Sequence, residues 1–150
     1  MSWGDWGKKL SIPQMQELIE KAVDIGIHTF DHADIYGGYT TEKSFGEAFK
    51  KSSLPREKVQ FITKCGIQIP CEARPLEVKH YDYTASHIQL SVDNSLKNLN
   101  TEYIDVLLLH RPSPLIDENI INEAIRKLQR EGKVKEFGVS NFTPSQMDLI

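Results

Sequence analysis

The chain of 150 residues contains two cysteines, Cys65 and Cys71, too few for a disulfide framework and consistent with free thiols in a reduced compartment. Long hydrophobic runs are missing as well. The longest aliphatic stretch is Val106–Leu109, far short of the ~20 residues of a membrane span. The N-terminus, Met-Ser-Trp-Gly-Asp-Trp-Gly-Lys-Lys, has neither an apolar targeting core nor a cleavage pattern. A soluble cytoplasmic protein is the expectation. No sign of charge dominates: 18 basic and 21 acidic residues give a net charge of −3. There is thus no basic excess to attract nucleic acid or an anionic membrane. Composition, with 39% apolar and 26% charged residues, excludes disordered and collagen-like classes. A chain of this size buries ~70% of its unfolded surface, enough for a sizeable core. Internal repeats and low-complexity segments are absent. No Gly-x-Gly-x-x-Gly follows a strand-like segment, which argues against a doubly wound dinucleotide-binding sheet. Gly37-Gly38 reads better as a turn.

The elements alternate. Ser11 and Gln14 form a capping box with Pro13 in the first turn, and Gly26 ends that helix. Met15, Leu18, Ile19 and Ala22 fall on one of its faces. Ile27–Ala33 reads as a strand, Thr41–Lys51 as a helix and Lys58–Cys65 as a strand. Residues 66–83 read as a long loop, of the kind that often lines a site. Thr84 caps a helix with Ile88, Val92, Ser95 and Leu99 on one side, and Tyr103–Leu109 is a strand. Asp117 caps a helix carrying Ile121, Ala124, Ile125 and Leu128, stopped by Gly132. Val134–Val139 is a fourth strand, and Thr143-Pro-Ser-Gln opens a last helix.

Strands that alternate with helices must be parallel, because each helix returns the chain across the sheet. Strand starts near residues 27, 58, 103 and 134 are about half of the eight units that close a barrel in ~250 residues. In parallel α/β folds the C-terminal strand ends share the face that carries the site. Those ends here deliver Asp31 and His32, then Lys64, then His110, then Ser140 and Asn141. Each has an ordinary reading alone: a cap, a snorkelling lysine, a satisfied imidazole, a turn. Four in succession point to a site. A buried Lys64 needs a counter-charge, and Asp31 is the available partner. Tyr36 follows Asp31 by five residues. A free phenol holds its proton to ~10, and a neighbouring ammonium favours the phenolate. His110 is suited to hydrogen-bond a carbonyl oxygen. The set is fit to protonate an alkoxide as a hydride arrives, and the hydride must come from a cofactor.

Four motifs carry a family resemblance. Gly26-x-x-x-Phe30-Asp31-x-Ala33-x-x-Tyr36-Gly37, followed by Glu42 and Gly46, resembles the aldo-keto reductase signature. So do Phe61-Ile-Thr-Lys64, Ile104-Asp105-x-Leu-x-Leu-His110 and Gly138-Val-Ser140-Asn141-Phe142, in the family's order. The turn His110-Arg111-Pro112 is similar to that of bacterial-type members. The resemblance implies a (β/α)8 TIM barrel and NADP(H)-dependent reduction of a small-molecule aldehyde or ketone. Tyr36 would be the proton donor, Lys64 and Asp31 would tune it, and His110 would orient the carbonyl. Asp31, Ser140 and Asn141 would contact the cofactor, with Ser140 and Asn141 on the nicotinamide carboxamide. Residues 1–150 would form a single partial barrel domain of about four strands and five helices. Its first strand would be mostly missing, with a remnant at Met1–Gly4 that brings Trp3 near the site. The last three strands would be absent. Tyr81 and Tyr83 would line the substrate pocket or else be solvent-facing aromatics of the loop.

Three other readings stand beside this one. A truncated, inactive relative would act as a binding or regulatory subunit, and its open sheet edges would favour self-association. A Schiff-base lyase would use Lys64 as nucleophile but leaves Tyr36, Ser140 and Asn141 without roles. A metal site from His28, His32, His110 and Cys65 matches no ligand spacing, and none is expected.

Overall fold

The computed structural model describes residues 3–72, 74–148 and 150. Helix α1 (Ile12–Asp24) starts where Gln14 Oε1 accepts from both the N–H and the hydroxyl of Ser11. It ends at Gly26, whose φ of +86° lets the Ile27 N–H turn back to Ala22 O. Met15 and Ile19 are buried, whereas Leu18 lies at the rim of that apolar face and is exposed. Strand β1 (Thr29–Asp31) leads into a single turn, α2 (Tyr36–Tyr39), and then into α3 (Thr41–Ser52). Strand β2 (Gln60–Cys65) is followed by two short strands, β3 (Ile67–Gln68) and β4 (His80–Tyr81). Helix α4 (Ala85–Leu99), strand β5 (Ile104–Leu109), helix α5 (Glu118–Arg130), strand β6 (Val134–Val139) and the short α6 (Pro144–Met147) complete the order.

Four strands make one parallel sheet in the order β1-β2-β5-β6. Sequential strands are therefore spatial neighbours, as βα units wound in one direction require. Side chains alternate across it. Phe30, Phe61, Leu107 and Leu109 face the helices and are buried, while Ile62, Val106 and Leu108 on the other face are only half-buried. On the helix side Phe45 of α3 meets Phe30 and Phe61 with ring centroids 5.2 and 5.5 Å away. The expected faces of α4 and α5 are buried: Ile88, Val92, Ser95 and Leu99 on one, Ile121, Ala124, Ile125 and Leu128 on the other. Among the described residues no helix is long and apolar enough to cross a membrane.

Three expectations change. β1 is three residues long rather than Ile27–Ala33, although His32 and Asp34 still donate backbone bonds to Ile62 O and Lys64 O. Residues 66–83 are not a plain loop, because β3 and β4 pair antiparallel within them. Met1 and Ser2 lie outside the described residues, and Trp3 and Gly4 sit in turns rather than a strand. The Trp3 ring packs on Phe45, 6.3 Å between centroids, on the helix side of the sheet.

Candidate active site

Lys64 is the hub. Its place near the end of β2 sends the side chain to the same face as Asp31, one strand over. Nζ lies 2.7 and 2.8 Å from the two Asp31 carboxylate oxygens and donates to His32 O at 2.8 Å. The Tyr36 hydroxyl is 3.4 Å from the same nitrogen. Tyr36 opens α2, in which Gly37, Gly38 and Tyr39 all take positive φ. Left-handed backbone is unfavourable for a tyrosine. Tyr39 is held there by its hydroxyl, which accepts from the Ile69 N–H, and by the Arg74 guanidinium 3.9 Å over its ring.

His110 follows β5. Its ring stands edge-on to that of Tyr36, 6.0 Å between centroids. Burial, with the positive charges of Lys64 and Arg111, pushes the imidazole down to about 4 despite the opposing Asp31 carboxylate. At neutral pH it is therefore uncharged, with one N–H to donate. Ser140 and Asn141 follow β6. The Asn141 Nδ2 donates to His110 O at 3.1 Å and to Ser140 Oγ at 2.9 Å, which ties the ends of β5 and β6 together. An adjoining hydroxyl and amide offer the donors and acceptors that a carboxamide needs, so these residues fit a nicotinamide head group.

Asp31, Tyr36, Lys64 and His110 thus meet at one end of the sheet, with Ser140 and Asn141 at the next strand. His32 does not join them. It lies two residues past Phe30, on the helix side, fully buried and 4.3 Å from the Phe45 ring centroid. Tyr83 and Tyr81 line a cavity of about 210 Å³ with Ser113 and Leu115, and none of the site residues borders it. Tyr83 is buried, and its hydroxyl is engaged by the backbone of Arg111. Tyr81 is exposed and stacked on Tyr83. Among the described residues no group of His, Cys, Asp or Glu is placed to hold a metal ion. A cavity of about 620 Å³, lined by Leu54, Arg56, Leu96 and Tyr103, contains none of the site residues.

Behind the site lies a buried polar layer, in which Glu42 of the first motif meets partners that the motifs do not announce. Glu42 accepts from Thr63 Oγ1 at 2.5 Å and Ser95 Oγ at 3.0 Å. Asp34 accepts from Ser91 Oγ at 2.8 Å. Its signal in the sequence is Ser91 and Ser95, four apart on the apolar face of a helix.

A parallel sheet with helices on one side and its titratable groups at the C-terminal strand ends is part of a (β/α)8 barrel. The sequence profile of the Aldo/keto reductase family matches residues 1–150, and the chain belongs to that family. It is 50% identical over 138 residues to the uncharacterized oxidoreductase YcsN of Bacillus subtilis, covering 91% of this chain and 46% of that protein. It is 46% identical over 137 residues to the 6-dehydroglucose reductase of Agrobacterium fabrum, covering 91% and 46%. The holo form of the aldo-keto reductase AKR11C1 from Bacillus halodurans superposes with a TM-score of 0.79 at 25% identity, covering 92% of this chain and 44% of that one. The chain spans about half the length of the relatives it matches.

Proposed function

We propose that the protein is an NADP(H)-dependent carbonyl reductase, which transfers hydride to an aldehyde or ketone with Tyr36 as proton donor. The observation that carries this reading is the Lys64 ammonium, held by the Asp31 carboxylate and 3.4 Å from the Tyr36 hydroxyl. The nicotinamide supplies the hydride when bound, and Ser140 and Asn141 are the residues that would hold its carboxamide, beside Asp31. A neutral His110 donates its N–H to the substrate oxygen and fixes the carbonyl against Tyr36. As negative charge gathers on that oxygen, His110 and the Tyr36 hydroxyl stabilise it. Tyr36 then gives up its proton, and the Lys64 ammonium stabilises the phenolate left behind. Asp31 keeps the ammonium in place. Two unpaired thiols fit a reducing compartment, and we assign the reaction to the cytoplasm.

The test is Tyr36→Phe in the complete gene product, with NADPH oxidation followed against small aldehydes. Given the name of the Agrobacterium relative, 6-dehydroglucose is the first sugar substrate to try. A kcat lowered by ~10²-fold or more, with NADPH binding kept, is expected. An unchanged kcat overturns the mechanism. The ratio of kcat/KM for NADPH and NADH tests the choice of cofactor.

A further inference from the structure

His110 has to hold its ring at a fixed place beside Tyr36, yet its inner nitrogen is not tied by a hydrogen bond. The ring's Nδ1 is buried and has no hydrogen-bond partner among the described residues. The ring's position then depends on packing and on the backbone that carries it. That backbone is held at three points. The His110 N–H donates to Cys65 O at 3.0 Å, and the Asn141 amide donates to His110 O. The third point is a side chain. The Tyr83 hydroxyl accepts from the Arg111 N–H at 3.2 Å and donates to the Arg111 C=O at 2.5 Å.

We propose that Tyr83 is a positioning residue for His110, its hydroxyl shared between the two backbone groups of Arg111 so that the imidazole one residue earlier cannot drift. The arrangement is built for this ring. Gly66, with φ +105°, sits directly beneath it, and a Cβ at that position would fall inside the ring. The Asp82 N–H donates to Gly66 O at 2.8 Å, and Thr84 caps α4, so the stem of Tyr83 is fixed on both sides. The hydroxyl reaches 28 residues along the chain to two main-chain groups of one residue. Without it those groups, just past the end of β5, have no strand neighbour to take them up.

The inference rests on the proposed role of His110, and its test separates the two. In the complete gene product, Tyr83→Phe removes the hydroxyl and keeps the ring over Gly66. The expected result is a kcat lowered by about tenfold or more, with NADPH binding within twofold of the parent. The His110 ring resonance, followed by NMR, should then titrate nearer the ordinary histidine range than in the parent. 4-Aminophenylalanine at position 83 keeps a donor and an acceptor on the same ring. It should restore both readouts, and it keeps the test open should Tyr83→Phe not fold. An unchanged His110 titration in Tyr83→Phe, or no recovery with 4-aminophenylalanine, overturns the inference. His110→Ala is run alongside: an unchanged kcat there overturns the role of His110 in catalysis, while the titration still decides what Tyr83 does.

Discussion

His32 and Asp34, two residues apart on the segment after β1, respond to acid in opposite directions. Burial, and then nearby positive charge, drives His32 down to about 3, so the folded chain refuses a proton that an unfolded histidine takes near ~6.5. Stability therefore falls as pH drops through that window. Burial raises Asp34 to about 7 from 3.8, against the opposing hydrogen bond from Ser91. Here the folded state takes the proton first, and stability rises as pH falls from 7 towards 3.8. The two oppose each other between roughly pH 6.5 and 4, while His110 adds to the histidine side. Urea midpoints measured against pH should therefore decline gently in the parent. The decline should steepen in Asp34→Asn, by up to ~1.4 kcal/mol per pH unit, and flatten in His32→Leu. An unchanged slope in Asp34→Asn would contradict a buried neutral carboxyl. A second expectation concerns Lys64. Lys64→Met should lower kcat by ~10²-fold or more while the sheet stays folded, checked by turnover and circular dichroism together. The strand-end argument places Asp31, Lys64, His110, Ser140 and Asn141 together, and the parallel topology gathers those positions at one end of the sheet. It misread His32, although strand alternation places it with Phe30 rather than with Asp31. Tyr83 was read only as a pocket-lining or solvent-facing side chain, since its hydroxyl's partners are main-chain groups that leave no trace in residue identity.

At the scale of elements, α3 and α4 are joined by contacts that their apolar periodicity does not reveal. Glu42 takes hydroxyl bonds from β2 and α4 at once, and burial raises its carboxyl above the usual range despite them. Glu42→Ala should cost ~2–4 kcal/mol, because it strands two buried hydroxyls. Glu42→Gln keeps an acceptor and drops the buried charge, so it should cost far less. Denaturant titration of the pair distinguishes a hydrogen-bond role from a charge role. Gly46 marks where the two helices touch: a Cβ there would meet the Asn98 and Leu99 backbone. Gly46→Ala should destabilise by ~1–3 kcal/mol. Helices α1, α3, α4, α5 and α6 were legible from caps and periodicity, whereas the single turn α2, with its two positive-φ glycines, was not. The β3–β4 pair was not, because two-residue strands are too short to show alternation. β1 was overextended because its pairing to β2 continues past the residues that keep strand geometry.

For the molecule as a whole, the inner strands among the described residues are β2 and β5. Both are paired on either side. Each inner strand also has two ends with different burdens. Before β2, the Arg56 guanidinium lies between the rings of Phe61 and Tyr103, 4.1 Å from each, and pairs with Asp105 at 2.5 Å. At the other end the same two strands present Lys64 and His110. Arg56→Ala should lower stability by ~2–4 kcal/mol and leave KM untouched. That separation bears on how such a protein diversifies. A lineage, or a library, can rewrite the loops after the strands in search of new substrates and draw on robustness stored at the far end, with Arg56 as its fixed anchor.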